Sequence, residues 1–412
     1  MTGSTHPSRR RAYLLLFVGT VGYGCFLFVW FSIAAFLTPI TNQLGLSNTA
    51  AGFLNGAVPL TYVPFALLSG LVIDRVGASR AIGVGLLVVG IAHIGRGLAT
   101  SFPTMLALTV LLGLGGTGLT FGLPKLVSEL FPPEQSGAMS SAYLVGLYAG
   151  TAAAFSLNRA FLGPALGGWR PLFVASGLVT AAVALVWLAM TYGWRHVAGT
   201  NAAEPSADGG SFSLESLLAD ARRVGTHRDL QLLVVVGVMY LFATHGLQGW
   251  LTVILERRGL ATTTAATATS GLIVAQLVGT VVLPPVSDYL ARRRAVIAAC
   301  GVMIAGGTAS VLLLGQLTLG TIVVTLGSVG VGIGGLATLV RSVPLNIDGI
   351  ESRHAGTAVG LVFMFGEIGG FTGPFVIGTL EDLTGSFDPG LVLVSTAGLV
   401  VVLATIPMRS VQ

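Results

Sequence analysis

Charge is scarce in this chain. Of 412 residues only 9 % are Asp, Glu, Lys or Arg, and a single lysine, Lys125, stands beside the arginines. A soluble domain carries roughly 25 % charged residues, so a water-facing surface of this size could not be covered, and a soluble globular protein is excluded. Cysteine is scarce too. Cys25 and Cys300 fall inside apolar runs, which implies neither a disulfide framework nor a metal site. There is no Walker-type phosphate loop, no pair of catalytic carboxylates, no metal-ligand cluster and no nucleophile elbow. An enzyme, ATP coupling within the chain and a bound cofactor are therefore not expected. A cleavable signal peptide is not evident: residues 1–11 are polar and end in Arg9, Arg10 and Arg11. The apolar run from Tyr13 to Leu37 is too long for a signal-peptide core.

What fills the chain is apolar: 53 % hydrophobic residues and a mean hydropathy of +0.86. A helix needs about 20 apolar residues to cross a bilayer, so twelve crossings use about 240 residues. Spans are expected at 13–37, 49–73, 80–99, 103–126, 138–161, 171–192, 229–254, 266–286, 295–315, 317–341, 356–379 and 390–408. Helices are expected rather than strands, because a helix satisfies its own backbone in lipid. The net charge of +5 is read as a topology signal, not as a nucleic-acid footprint. With both termini cytoplasmic, the inner segments hold Arg9, Arg10, Arg11, Arg75, Arg80, Lys125, Arg195, Arg222, Arg223, Arg228, Arg292, Arg293, Arg294, Arg341, Arg353 and Arg409. The outer segments hold only Arg96, Arg159, Arg170, Arg257 and Arg258.

The organisation is a duplicated unit. Asp74 and Asp288 stand 214 positions apart, Gly137 and Gly356 stand 219 apart, and Gly163-Pro164 recurs 210 positions on as Gly373-Pro374. The expectation is an all-α integral membrane protein with twelve transmembrane helices in two pseudo-symmetric six-helix bundles, residues 1–194 and 229–412. Residues 195–228 join them. Asn201 to Ser211 reads as a flexible linker. Leu214, Leu217, Leu218, Ala221 and Val224 then recur at helical spacing opposite Glu215, Asp220, Arg222 and Arg223, an amphipathic helix at the membrane face.

From Gly70 through Asp74, Arg75 and Gly77 to Arg80 the chain spells G-x-x-x-D-R-x-G-x-x-R between spans 2 and 3. A worn copy follows span 8 at Asp288, Arg292, Arg293 and Arg294, with Pro284-Pro285 near the place of the leading glycine. In these stretches the chain resembles the major facilitator superfamily, and the resemblance covers essentially its whole length. It implies a secondary transporter in which helices 1, 4, 7 and 10 line a central cavity. It also implies that Gly70, Asp74, Arg75, Gly77 and Arg80, with Asp288 and Arg292, form a conformational latch rather than a binding site. A plain topology determinant is the competing reading. Drug/proton antiporters of the family carry an Arg four residues before a G-x-G in helix 4. Here Thr109 precedes Gly113 and Gly115 at that spacing, which counts against a proton-driven drug exporter. Spans 2 and 8 lack the arginines of nitrate/nitrite permeases.

Ionisable groups inside a span are costly and are functional candidates by default. Glu367 lies mid-span in span 11, where it must be protonated or paired. Its two readings are a proton-coupling or substrate-contacting acid and a structural partner of Arg341 or of a hydroxyl. Arg341 in span 10 and Lys125 in span 4 lie at similar depth on pseudo-symmetric helices. Together they could attract an anion or merely snorkel to the headgroups. His245 sits in span 7 with Tyr240, Thr244, Gln248 and Trp250, as a ligand or a packing residue; His93 in span 3 is a weaker case. Tyr23, Trp30, Thr120, Tyr148 and Gln276 complete the set, with Asn55, Thr61, Tyr62, Thr117 and Tyr143 beside them. Each alone is more often helix glue; as a set they supply the few fixed polar groups an apolar pocket needs.

The expected function is secondary transport of a small anionic solute by alternating access, with proton-coupled uptake favoured. The rivals are export of hydrophobic compounds and a non-transporting receptor or scaffold on the same fold. The expected setting is a monomer crossing the plasma (inner) membrane of a prokaryote several times. Its partners are lipid, the solute and protons, with no metal and no nucleic acid.

Overall fold

A computed structural model describes residues 9–197, 214–314, 318–347, 350–351 and 354–409. The linker stretch Asn201 to Ser211 and Arg353 lie outside the described residues. Among those described there are no strands. The long helices are α1 (Arg9–Ala35), α2 (Asn48–Val76), α3 (Ala78–Leu98), α4 (Phe102–Leu130), α5 (Pro133–Leu157), α6 (Trp169–Val197), α7 (Arg228–Arg257), α8 (Thr262–Leu290), α9 (Arg293–Leu313), α10 (Leu319–Ser342), α11 (Ala355–Thr384) and α12 (Asp388–Thr405). Eleven are long and apolar enough to cross a membrane as they stand. The twelfth, α2, qualifies when its arms Asn48–Phe65 and Leu68–Val76, bent by 69°, are taken together. Pro59 and Pro64 lie inside α2; each removes an amide donor and crowds the preceding turn, which is why it bends.

Local chemistry sets the helix ends. Ser47 and Ser101 accept from the amides of Ala50 (3.1 Å) and Thr104 (3.5 Å) at the starts of α2 and α4, and Thr318 accepts from Thr321 (3.3 Å) at the start of α10. Such caps satisfy amides that the helix itself leaves without a partner. The helices run longer than hydropathy suggests. The fifth crossing continues from Leu157 through a π turn, Asn158–Leu162, to Leu166. The sixth reaches Val197, past the expected boundary at 194.

The same packing scheme is built twice. In the first half α1 packs on α5 and α6, α3 on α4 and α6, and α2 on α4. In the second half α7 packs on α11 and α12, α9 on α10 and α12, and α8 on α10. The halves meet along α2 with α11 and α5 with α8, which are equivalent pairs under the repeat. A Cβ on Gly150 would run into the Gly24 carbonyl of α1, and one on Gly334 into the Gln276 carbonyl of α8, so small residues set how closely these helices approach. In α11 the glycines pressed hardest on the α7 backbone are Gly369 and Gly373, and the Gly366/Gly370 pair that spacing picks out also faces α7, at Leu241 and His245. Large apolar side chains such as Phe17, Ile91, Leu185, Val323 and Leu399 stay exposed. In water such a surface would drive association; in lipid it is the required coat.

Three further expectations are modified. Residues 214–225 do form a helix, but it docks on α11 and α7. Arg223 reaches Glu351 (3.7 Å) and Asp220 faces His354 (3.6 Å). Arg96, counted above as an outer-segment cation, is fully buried in α3. It donates to the Val29 carbonyl of α1 (3.2 Å) and lies over Phe173 (5.5 Å). Asp288 is held by Arg293 (3.0 Å), not by Arg292, because α9 begins at Arg293 and turns that side chain back across the junction.

The repeat differs at its two sharp turns. Gly77 ends α2 at φ +86°, and the equivalent Ala291 ends α8 at φ +48°. A left-handed backbone costs an L-residue with a Cβ roughly 1–2 kcal/mol, whereas glycine takes it freely. Ala291→Gly is therefore expected to raise, and Gly77→Ala to lower, stability by about 1 kcal/mol in detergent unfolding curves. Shifts of the opposite sign would show that these turns are not under strain.

Candidate functional site

One end of the bundle is tied shut between the halves. Asp382, near the end of α11, accepts from the first amides of α2. Its Oδ1 takes the Asn48 N–H and side-chain amide (3.0 Å each), and its Oδ2 takes the Thr49 N–H (2.7 Å) and hydroxyl (2.6 Å). A carboxylate suits this place because a helix start presents unpaired amides and partial positive charge. Glu381 next to it is held by Asn48 and by Arg257 (2.9 Å). Arg159 beyond α5 donates to Glu256 of α7 across the halves (2.9 Å), while within the second half Trp250 of α7 donates to the Pro374 carbonyl of α11 (2.8 Å). At the opposite end the acids turn within their own halves, Asp74 to Lys125 and Asp288 to Arg293.

Between the two ends lies an aromatic and polar centre. Trp30 of α1 stacks on His245 of α7 (5.6 Å between centroids, 17°) and packs on Tyr62 of α2 (6.0 Å). Thr120 of α4 shares a hydrogen bond with Tyr62 (3.0 Å). Trp30, Asn55, Thr109 and His245 border a small cavity beneath the closed end. On α11 Glu367 is buried, and its Oε2 has no hydrogen-bond partner among the described residues. A Cβ on Gly370 would lie 3.0 Å from Glu367 Oε2, His245 Cδ2 and Pro59 Cβ alike, so these three side chains converge over one turn where the halves meet.

Arg341 of α10 is half-buried, with its guanidinium over the Phe363 ring (4.8 Å). Its charge reaches Tyr240 of α7, Tyr23 of α1 and Tyr148 and Tyr143 of α5, and it also reaches Glu367. A cation whose charge acts on side chains of both halves lies toward the interior rather than toward lipid. Tyr148 hydrogen-bonds Thr280 of α8 across the halves (2.6 Å), and Gln248 donates to Gln276 (3.1 Å) between α7 and α8.

Arg341, Glu367, His245, Tyr23, Trp30, Tyr148 and Tyr240 are thus gathered around the junction of the halves, with Thr120 behind Tyr62. Gln248 and Gln276 pair with each other. Lys125 is taken up by Asp74, away from the anion-binding role weighed for it above. His93 is a packing residue on Phe173 (4.5 Å) that meets Ser176 (3.1 Å). Sequence reasoning missed Thr280, Phe363 and the Asp382 cluster. Thr280 lies one turn beyond Gln276 on the same helix face, which was a usable signal. Asp382 had only its place near a helix end, and nothing along the chain points to its partner 333 positions away.

The family model described as Major Facilitator Superfamily matches residues 19–374. An uncharacterized transporter of Bacillus subtilis is 26 % identical over 370 residues, covering 89 % of this chain and 86 % of that protein. A protein named as a probable galactarate/D-glucarate transporter of Bacillus subtilis is 25 % identical over 403 residues (89 % and 84 %). A 3-(3-hydroxy-phenyl)propionate transporter of Escherichia coli is 25 % identical over 364 residues (88 % and 85 %). Among solved structures, a bacterial homologue of the human lysosomal transporter Spinster in an inward-facing, unoccupied conformation superposes with a TM-score of 0.79. That match has 18 % identity and covers 97 % of this chain and 98 % of the other.

The tie at the Asp382 end is open to a direct test. In a background with Cys25 and Cys300 replaced by Ser, the pair Thr49→Cys and Asp382→Cys should cross-link under mild oxidation. The pair Asp74→Cys and Asp288→Cys should stay reduced, because a disulfide needs Cα atoms within about 7 Å. Peptide mass spectrometry reads the outcome; the reverse pattern would place the closure at the other end.

Proposed function

The chain belongs to the major facilitator superfamily and is a multi-span membrane transporter; from that premise we propose that it carries a small organic carboxylate by alternating access, coupled to protons. The observation that carries the reading is Arg341. It is a half-buried guanidinium on α10 over the Phe363 ring, and its charge acts on tyrosines of both halves and on Glu367. A fixed cation in a low-dielectric site attracts a carboxylate strongly, and a guanidinium grips it with two parallel hydrogen bonds. Relatives named for galactarate/D-glucarate and for 3-(3-hydroxy-phenyl)propionate are named for organic acids, which supports this class.

The closed Asp382 end and the self-contained acids at the Asp74 end support one access state. With the termini in the cytoplasm of a prokaryotic cell, the Asp382 cluster is the outer gate and the state is inward-facing. Switching requires the Asp382 hydrogen bonds to break and the Asp74 and Asp288 junctions to close. Most of the Asp382 cluster is exposed, so its bonds are individually weak and can open on each cycle.

Glu367 is the proton carrier in this reading. It is buried with an orphaned oxygen at the contact of the halves, and an unpaired buried carboxylate is costly unless it takes a proton. A proton bound there leaves the site with Arg341 alone in charge, ready for an anion. Release of the proton to the cell returns the negative charge beside Arg341 and weakens the hold on the solute.

Two substitutions separate these roles. In proteoliposomes screened with glucarate, tartrate and 3-(3-hydroxyphenyl)propionate, Arg341→Gln should lower saturable uptake at least ~10-fold, the size of a lost charge-assisted contact. Arg341→Lys should retain part of it. Glu367→Gln should keep carboxylate exchange while losing the acceleration by an inward proton gradient. Normal uptake by Arg341→Gln would end the anion reading. Uptake by the unaltered protein that ignores a protonophore would end the proton reading.

A further inference from the structure

At the Asp288 end of the bundle α9 and the end of α12 leave a groove between them, built wholly from the second half. We infer that this groove binds one anionic phospholipid, with its phosphate on Arg292, Arg294 and Arg409 and its acyl chains along the apolar wall.

The first reason is charge. Arg292 lies in the turn after α8, and α9 opens on Arg293 and Arg294 with no acid in its first turn. That is the wrong sign for a helix start, which carries partial positive charge and favours anions. Asp288 offsets part of the excess by holding Arg293 (3.0 Å). Arg294 crosses to the residues after α12 and donates to the Met408 carbonyl (3.1 Å), which uses one of its several N–H donors. The next residue, Arg409, places its backbone amide on Asp229 of α7 (3.1 Å). Among the described residues no acidic side chain pairs with Arg292, Arg294 or Arg409. All three border the groove, and no acid lines it.

The second reason is shape. The two helices meet backbone to backbone at Gly301 and Gly398, where a Cβ on Gly301 would lie 2.7 Å from the Gly398 carbonyl. Toward the arginines the walls are Ala295 and Ala298 on α9, and Val402 on α12 with Ile406 just past it. Side chains this short leave about 700 Å³ unfilled, within the roughly 300–1,000 Å³ of small-ligand sites. Val302 and Leu399, farther along the same two helices, are exposed and continue the apolar surface into the lipid coat.

Charge and shape together choose the ligand. A guanidinium grips a phosphate with two parallel hydrogen bonds. A free phosphate would use the arginines and leave the apolar wall bare. A neutral acyl chain would cover the wall and leave three cations without an anion. A phospholipid of net negative charge answers both, and basic pockets between membrane helices suit such headgroups. A zwitterionic lipid brings its own cation beside the phosphate, which the arginines repel. The bound lipid would join the turn after α8 to the residues after α12, where Arg294 already bridges them.

The test uses the full-length protein, stripped of lipid in detergent, with native mass spectrometry counting bound copies. It is titrated with dioleoyl phosphatidylglycerol, dioleoyl phosphatidylcholine or glycerol 3-phosphate. One phosphatidylglycerol should be retained at least ~10-fold more tightly than phosphatidylcholine, an increment that several arginines supply, and glycerol 3-phosphate should not be retained. Arg292→Gln with Arg409→Gln, both at exposed positions, should remove the preference. Ala295→Leu keeps every arginine but fills the groove, and should weaken phosphatidylglycerol ~10-fold. Arg10→Gln, at an exposed cation at the start of α1, should change nothing. Equal retention of the two lipids by the unaltered protein would overturn the inference. So would glycerol 3-phosphate bound as tightly as phosphatidylglycerol, which would give the arginines to a free phosphate. Unchanged binding by Ala295→Leu, or equal losses from Arg10→Gln and the paired arginine variant, would replace the groove with diffuse surface attraction.

Discussion

A charge inside this bundle has no water to turn to, and lipid offers it nothing. Each buried ionisable group must find its partner in the protein, take or lose a proton, or open onto an aqueous path. That constraint sorts the charges. Arg96 is neutralised by no acid but is wrapped by an aromatic ring and a backbone carbonyl, and its place is inside one half. Arg159 with Glu256 and Arg257 with Glu381 are paired at the closed end. Lys125 and Asp74 hold each other at the other end. Arg341 and Glu367 differ from all of these, since among the described residues neither is locked into a direct ion pair. Those that answer to one half stabilise it. Those at the junction are the ones a conformational change can act on.

The duplicated packing explains why a change at the junction can be large while each half stays intact. Within a half, glycine contacts such as Gly150 on α1 and Gly334 on α8 press backbone on backbone. Close-packed helices of this kind do not deform gradually; they move as bodies. Between the halves, contact runs along α2 with α11 and α5 with α8, two equivalent seams on either side of the pseudo-two-fold axis. In the proposed alternating-access cycle, rocking about these seams would exchange one open end for the other. The repeat is also broken where function needs asymmetry. Arg341 and Lys125 occupy corresponding helices, yet only Lys125 is within reach of the Asp that ends α2.

Much of the fold was legible along the chain. Twelve apolar runs, their loop arginines and the recurrence of Asp74 at Asp288 suffice for the two six-helix bundles, because lipid leaves the backbone so few choices. The candidate centre was legible in part for the same reason: Glu367, Arg341 and His245 stand out as costly residues in apolar runs. What could not be read was which charges answer each other. Lys125 and Arg341 look alike by depth and helix, and only the fold shows that Asp74 reaches one of them. Asp382 looks like a loop acid until α2 is seen to begin beneath it. Helix period was a partial guide to facing: Gly366/Gly370 and Gly369/Gly373 both satisfy small-residue spacing and both face α7, but only Gly369 and Gly373 press hard on its backbone.

The placement of Arg341 also bears on how binding could drive the cycle. A ligand shifts an equilibrium only through its differential affinity for the two states. Arg341 belongs to the second half, while Tyr23, Tyr143 and Tyr148 belong to the first. A solute held between them gains its full set of contacts only when the halves draw together around it. An empty site has the opposite tendency, since a cation closed off beside tyrosines without an anion pays the desolvation cost with little return. Occupancy by an anion, or ionisation of Glu367, removes that cost. In the proposed cycle the occluded state would be reachable in two ways, with solute and proton bound, or with Glu367 supplying the negative charge itself. A bare, protonated site remains open. In the proposed mechanism that exclusion would tie solute movement to proton movement, and it would require only that one base and one acid share the same enclosed space.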